Sequence, residues 1–201
     1  MPTPTWASPS GCASVYTGHD TTVYTSTAVI TAERRILAAA ARRGGPVVDE
    51  ASIGLALLEQ HAHHGVALND GQVLLVRDMA TSGARLQLAL APAGTGKTTA
   101  MAALSAAWKN MGGTVIGVAP TASAAEVLAE DTGLTTDTMA KLVELATGVA
   151  APDDPARTWF TSIDDKTLII VDEAAMASTF DLDTVIGHAL GRGANVRLIR
   201  R

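Results

Sequence analysis

Aromatic residues make up only 3% of this 201-residue chain: three Trp, two Tyr and two Phe. Any core must therefore be filled by Ala, Val, Leu and Ile. Cys12 is the single cysteine, which excludes an intramolecular disulfide framework and fits a reducing cytoplasm. Positive charge is scarce too, with Lys+Arg 15 against Asp+Glu 20, a net charge of −5 and a pI near 5.4. This balance argues against a general electrostatic grip on nucleic acid or an anionic membrane, though not against a local cleft. No stretch is long and apolar enough to span a bilayer, and the start MPTPTWASPSG lacks the basic residues and apolar run of a secretory signal. What is present is 47% hydrophobic content, enough for one globular domain with an appendage.

Residues 1–20 are rich in Pro, Ser, Thr and Gly without periodicity and read as a flexible leader. The β-branched run Thr21 to Ile30 predicts a short strand. From Thr31, an N-cap candidate, AERRILAAAARR predicts a helix closed by Gly44-Gly45, with Arg34, Arg35, Arg42 and Arg43 on a solvated face. A second helix covers Asp49 to His64. Its His61, His63 and His64 lack the i, i+4 spacing of a helical zinc site. Asn69 caps a third helix carrying Gln72, Val73, Leu74, Val76 and Met79. Residues 21–84 thus form a small, mainly helical module.

From residue 85 onward apolar strands alternate with helices. Leu86, Leu88 and Leu90 form a strand that runs into Pro92-Ala93-Gly94-Thr95-Gly96-Lys97-Thr98-Thr99, followed by an Ala-rich helix. This is a phosphate-binding loop in the strand–loop–helix setting that the motif requires. Gly94 and Gly96 let backbone N–H groups turn toward the phosphates, Lys97 would bridge the β- and γ-phosphates, and Thr98 would hold Mg²⁺. The helix N-terminus adds partial positive charge. Ala91 stands where the strict pattern has Gly, at the strand end rather than under the phosphates.

Met101, Leu104, Ser105 and Trp108 mark the buried face of the helix after the loop. Thr114 to Ala119 is a buried parallel strand ended by Pro120-Thr121. Helices follow over SAAEVLAED and over Thr138 to Ala146, and then a polar, Pro-rich surface loop. Thr167 to Val171 is a strand leading into Asp172-Glu173. Asp172 would reach Mg²⁺ through its water shell, and Glu173 would orient the attacking water. Phe180 to Leu190 is helical, and Asn195 to Ile199 begins another strand. The whole predicts an α/β P-loop NTPase core, a parallel sheet covered on both faces, over residues 85–201.

The order Gln72, APAGTGKTT, VAPTASAAEVL, TTDTMAKLV and LIIVDEAAM resembles the first RecA-like lobe of RecD-like superfamily 1 DNA helicases. More closely, it resembles the helicase part of conjugative relaxase-helicases of the TraI/TrwC type. The resemblance implies ATP and Mg²⁺ as cofactors, an adenine contact for Gln72, and single-stranded DNA contacts at Pro120, Thr121 and Thr138. Two departures stand out. Ala122-Ser123 replaces a Gly-Arg pair, which removes a phosphate contact, and Met139-Ala140 replaces Ile-His after Thr138. Leu198-Ile199 is followed by Arg200-Arg201 rather than the family's Gly-Asp, so the expectation is a truncated lobe that binds Mg-ATP and does not unwind DNA alone. It would work with a relaxase or a second lobe elsewhere.

Two rival readings accompany this one. The first is an inert remnant or regulatory binding module, folded or not, that pairs with a helicase elsewhere, its parallel sheet short of neighbours and with an exposed apolar edge. The second is a small stand-alone P-loop phosphotransferase.

Overall fold

The computed structural model describes residues 25–65, 67–90 and 96–200. Five strands form one parallel sheet: β1 (Leu86–Leu90), β2 (Thr114–Ala119), β3 (Thr135–Thr138), β4 (Thr167–Val171) and β5 (Asn195–Arg200). Their order across the sheet is β1-β5-β4-β2-β3. Parallel strands need crossovers, and long helices supply them: α4 (Lys97–Asn110), α5 (Ala122–Thr132), α6 (Met139–Thr147) and α8 (Thr179–Gly191). A short α7 (Arg157–Thr161) interrupts the polar segment ahead of β4. The chain begins with α1 (Thr27–Ala40), α2 (Glu50–His64) and α3 (Asp70–Thr81).

Because β4 is buried on both faces, its side chains divide between two cores. Leu168 and Ile170 join Ile53, Met79, Leu104 and Trp108 in the core under α2, α3 and α4. Ile169 and Val171 join Ile116, Leu142, Val185 and Val196 in the core under α6 and α8, and Ala39 of α1 packs there as well. Arg35 of α1 grips Asp183 of α8, with Nε 3.0 Å from each carboxylate oxygen. The helices ahead of the phosphate-loop strand therefore cover the same sheet as the helices after it.

Trp108 is the largest fully buried side chain among the described residues. Its Nε1 donates to the Lys166 carbonyl at 2.8 Å. A Cβ on Gly113 would lie 2.4 Å from the indole and 2.8 Å from that same carbonyl, so only glycine lets the chain leave α4 over the ring.

Arg197 is also fully buried, on β5. Its guanidinium donates to the Met79 and Ala84 carbonyls, each at 3.0 Å, and so ties the end of α3 to the middle of the sheet. Burial pulls its pKa down to about 10.

Four expectations change. Residues 27–30 are helical rather than extended, because the Ser26 side chain accepts from Val29 N at 3.2 Å and caps α1 there. Residues 21–24 of that proposed strand lie outside the described residues. Helix α1 ends at Ala40, before Gly44-Gly45, because the following stretch pairs with the approach to β1: Gly45 N donates to Gly83 O and Arg85 N to Arg42 O. Strand β3 and helix α7 were not expected at all. Finally, β5 lies inside the sheet between β1 and β4, and the apolar edge falls on β1, where Leu88 and Leu90 are exposed.

Candidate nucleotide site

The carboxyl ends of parallel strands gather side chains at one rim of a sheet, where ligands of open α/β folds bind. Here that rim carries Gly96 and Lys97 at the start of α4, Pro120-Thr121 after β2 and Asp172-Glu173 after β4. Ala93, Gly94 and Thr95, expected to cradle phosphates, lie outside the described residues. The described part of the motif starts at Gly96, the N-cap of α4, with φ of 70° and ψ of 35°. Lys97, Thr98 and Thr99 form the first turn of that helix.

Lys97 and Asp172 form an ion pair and hydrogen bond across 75 residues of sequence. Asp172 is held on both sides of its Cα. Its N–H donates to Val118 O at 2.8 Å, continuing the β2–β4 ladder, and its Oδ1 also accepts from Glu173 N at 2.8 Å. Glu173 has φ of 51°, alone among the described non-glycine residues in the left-handed region. The chain turns there into a single 3₁₀ turn, Ala174–Met176, so Glu173 sits on a bend rather than a helix.

Lys97, Thr98, Asp172 and Glu173 line one cleft of about 290 Å³, closed on the far side by α5. Its donor set is a lysine ammonium, a threonine hydroxyl and two carboxylates. Hard oxygen ligands beside a phosphate-seeking cation match a Mg-nucleotide. Asp131 lines the same cleft and was not expected. The signal was available in the spacing, since Ser123, Val127 and Asp131 fall on one face of α5.

Gln72 sits beside this cradle. Its Oε1 accepts from Asn69 N at 2.8 Å while Asn69 Oδ1 accepts from Gln72 N at 3.0 Å, a capping box at the start of α3. The Gln72 amide Nε2 then donates to Gly96 O at 3.2 Å. Thr121 and Thr138 are N-caps, accepting from Ala124 N at 3.2 Å and Lys141 N at 3.1 Å. Both hydroxyls are thus engaged with their own helices. Among the described residues no group of three or more His, Cys, Asp or Glu could hold a metal. No helix there is long and apolar enough to cross a membrane.

A five-stranded parallel sheet with Lys97 and an acidic pair at its carboxyl rim defines an α/β P-loop NTPase of the RecA-like kind. The chain belongs to the AAA domain family, whose model matches residues 67–199. It is similar to the conjugal transfer protein TraA of Rhizobium radiobacter, 32% identical over 135 residues. It is also 30% identical over 132 residues to a probable conjugal transfer protein TraA of Sinorhizobium fredii. Each match takes in 66% of this chain and 11% of the relative, so the chain spans a small part of those proteins' length. Among solved structures, the UvsW helicase from bacteriophage T4 matches with a TM-score of 0.49 and 14% identity, over 67% of this chain and 52% of that one.

Proposed function

We propose that this chain is the Mg-ATP-binding lobe of a RecD-like DNA helicase of the conjugative relaxase type. The observation that carries the reading is the Lys97–Asp172 pair, which joins the phosphate-loop motif to the acidic motif in one cleft. In this reading Gly94 to Thr98 would hold the phosphates, Lys97 would pair with the β- and γ-phosphates, and Thr98, with Asp172 through the water shell, would hold a Mg²⁺ that offsets phosphate charge. Glu173, on the bend that follows β4, would orient the attacking water. Gln72 links the adenine side to the loop through Gly96. Phosphoryl transfer leans on cationic groups that neighbouring lobes or proteins can supply.

Unwinding would belong to the longer parent, with single-stranded DNA, a relaxase or a second lobe as partners. Pro120, Thr121 and Thr138 are the DNA-facing candidates, and their contribution here is expected to be weak. The test is direct titration of the full chain with Mg-ATP. Lys97→Ala is expected to abolish binding, and an unchanged affinity in that variant would refute the reading.

A further inference from the structure

The start of α3 carries two reciprocal hydrogen bonds, and a third leaves it for the phosphate-loop motif. Asn69 Oδ1 accepts from Gln72 N at 3.0 Å, and Gln72 Oε1 accepts from Asn69 N at 2.8 Å. The two ends of the Gln72 amide are thereby told apart. A backbone N–H can only donate and a carbonyl can only accept, so Oε1 faces Asn69 and Nε2 faces Gly96 O, 3.2 Å away. Pinned by the capping box, the side chain meets the loop in one orientation.

That bond falls at the entrance to α4, which starts at Gly96 without a side-chain cap. Gly96 O also accepts from Ala100 N at 3.1 Å, so two donors share the two lone pairs of one carbonyl. In a trans peptide the N–H of the next residue points opposite to the carbonyl. Holding Gly96 C=O from below therefore aims the Lys97 N–H toward the open N-terminal end of α4. The far end of α3 is a firm support for this grip. Arg197 of β5 donates to Met79 O at 3.0 Å, Gln87 Nε2 of β1 donates to Asp78 Oδ2 at 2.6 Å, and Val48 N donates to Ala80 O at 3.0 Å.

We propose that Asn69 is a positioning residue for the phosphates: acting through Gln72, it sets the Gly96–Lys97 peptide that would meet them. This role deepens the nucleotide reading and rests on it. It differs in kind from an adenine contact, because it operates on a ligand that has no base.

Tripolyphosphate with Mg²⁺ is such a ligand. The test is calorimetric titration of the full chain with it and with Mg-ATP, at a temperature where circular dichroism shows each variant folded. Asn69→Ala is expected to weaken tripolyphosphate binding about fivefold, the share of one net hydrogen bond, and Gln72→Ala by about the same factor. The double variant should bind no more weakly than Gln72→Ala, whereas independent effects would multiply to about 25-fold. Asn69→Ser, which restores an acceptor at the N-cap, should return the parent affinity. Asn69→Gly, a milder change at an N-cap, takes the place of Asn69→Ala should that variant melt below the assay temperature. Unchanged tripolyphosphate affinity in Asn69→Ala, a loss confined to ATP, or multiplying effects in the double variant would each overturn the proposal while Mg-ATP binding by the parent chain kept the nucleotide reading in place. Failure of the parent to bind either ligand would refute that reading, and the role of Asn69 with it.

Discussion

Gly96 shows how little space separates the parts of the site. A Cβ there would stand 2.0 Å from Gln72 Nε2, and its φ of 70° disfavours any L side chain. Gly96→Ala should therefore expel the Gln72 amide and strain the first residue of the cradle. Mg-ATP affinity is expected to fall by roughly tenfold or more, corresponding to about 1–3 kcal/mol of backbone strain. Gln72→Ala added to it should recover at most part of the loss, since the space returns while the strain remains and the proposed adenine contact of Gln72 is lost. Full recovery in the double variant, measured by titration, would show that the clash alone matters. His188 makes a separate, pH-dependent case. It stacks on Phe160 with ring centroids 4.4 Å apart, its Nε2 is buried without a hydrogen-bond partner, and burial, with a smaller push from Arg192, lowers its pKa below 6.5. The folded state therefore binds a proton less readily than the unfolded one. The stability that neutral His188 confers is complete above pH 6.5 and is lost as pH falls through its lower folded value. His188→Gln is expected to flatten the decline in melting temperature between neutral and mildly acidic pH. An equally steep decline in the variant would assign the acid sensitivity to other groups.

At the scale of elements, the strongest constraint on the first crossover is Trp108. Full burial of an indole contributes roughly 4–6 kcal/mol of apolar transfer, an upper estimate because the unfolded chain is already partly compact. Trp108→Phe keeps most of that area and gives up the bond to Lys166 O. It is expected to cost roughly 1–3 kcal/mol, from the lost hydrogen bond and a residual void while Lys166 O keeps Thr114 N at 3.2 Å, read as a shift in urea midpoint with unchanged slope. A change in slope would indicate that the β4 approach had frayed. Elements with such apolar signatures were legible in the sequence. The runs TVIGVA and TLIIV mark strands buried on both faces, and Met101, Leu104 and Trp108 mark the buried side of α4. What escaped lacked that signature. Strand β3 reads TTDT, with no apolar residue, because it is an edge whose side chains are only partly covered. Residues 27–30 look like a strand by β-branching, yet a serine cap and packing against α8 outweigh that preference. Sheet order has no such local signature. A phosphate loop and an acidic strand end are local patterns, whereas the adjacency of β5 to both β1 and β4 depends on contacts more than twenty residues apart.

For the whole molecule, the position of β5 changes what the sheet's edges expose. The outer strands are β1, with Leu88 53% and Leu90 70% exposed, and the threonine-rich β3. Strand β5 joins the half of the sheet that carries the phosphate loop to the half that carries Asp172. The Lys97–Asp172 pair then closes the same connection at the rim. A ligand bound between these halves acts on folding as a whole, because both cores must be formed before Lys97, Thr98 and Asp172 meet. Mg-ATP at about 100 times its dissociation constant should stabilise the chain by about 2.7 kcal/mol. For a domain near this size, that corresponds to a rise in melting temperature of roughly 5–10 °C. The shift should need both nucleotide and metal, and it should vanish in Lys97→Ala. If Mg²⁺ alone gave the full shift, the carboxylates would be acting as a metal site independent of nucleotide. If Mg-ATP raised the melting temperature of Lys97→Ala as much as that of the parent chain, the ligand would be binding away from the rim that β5 holds together.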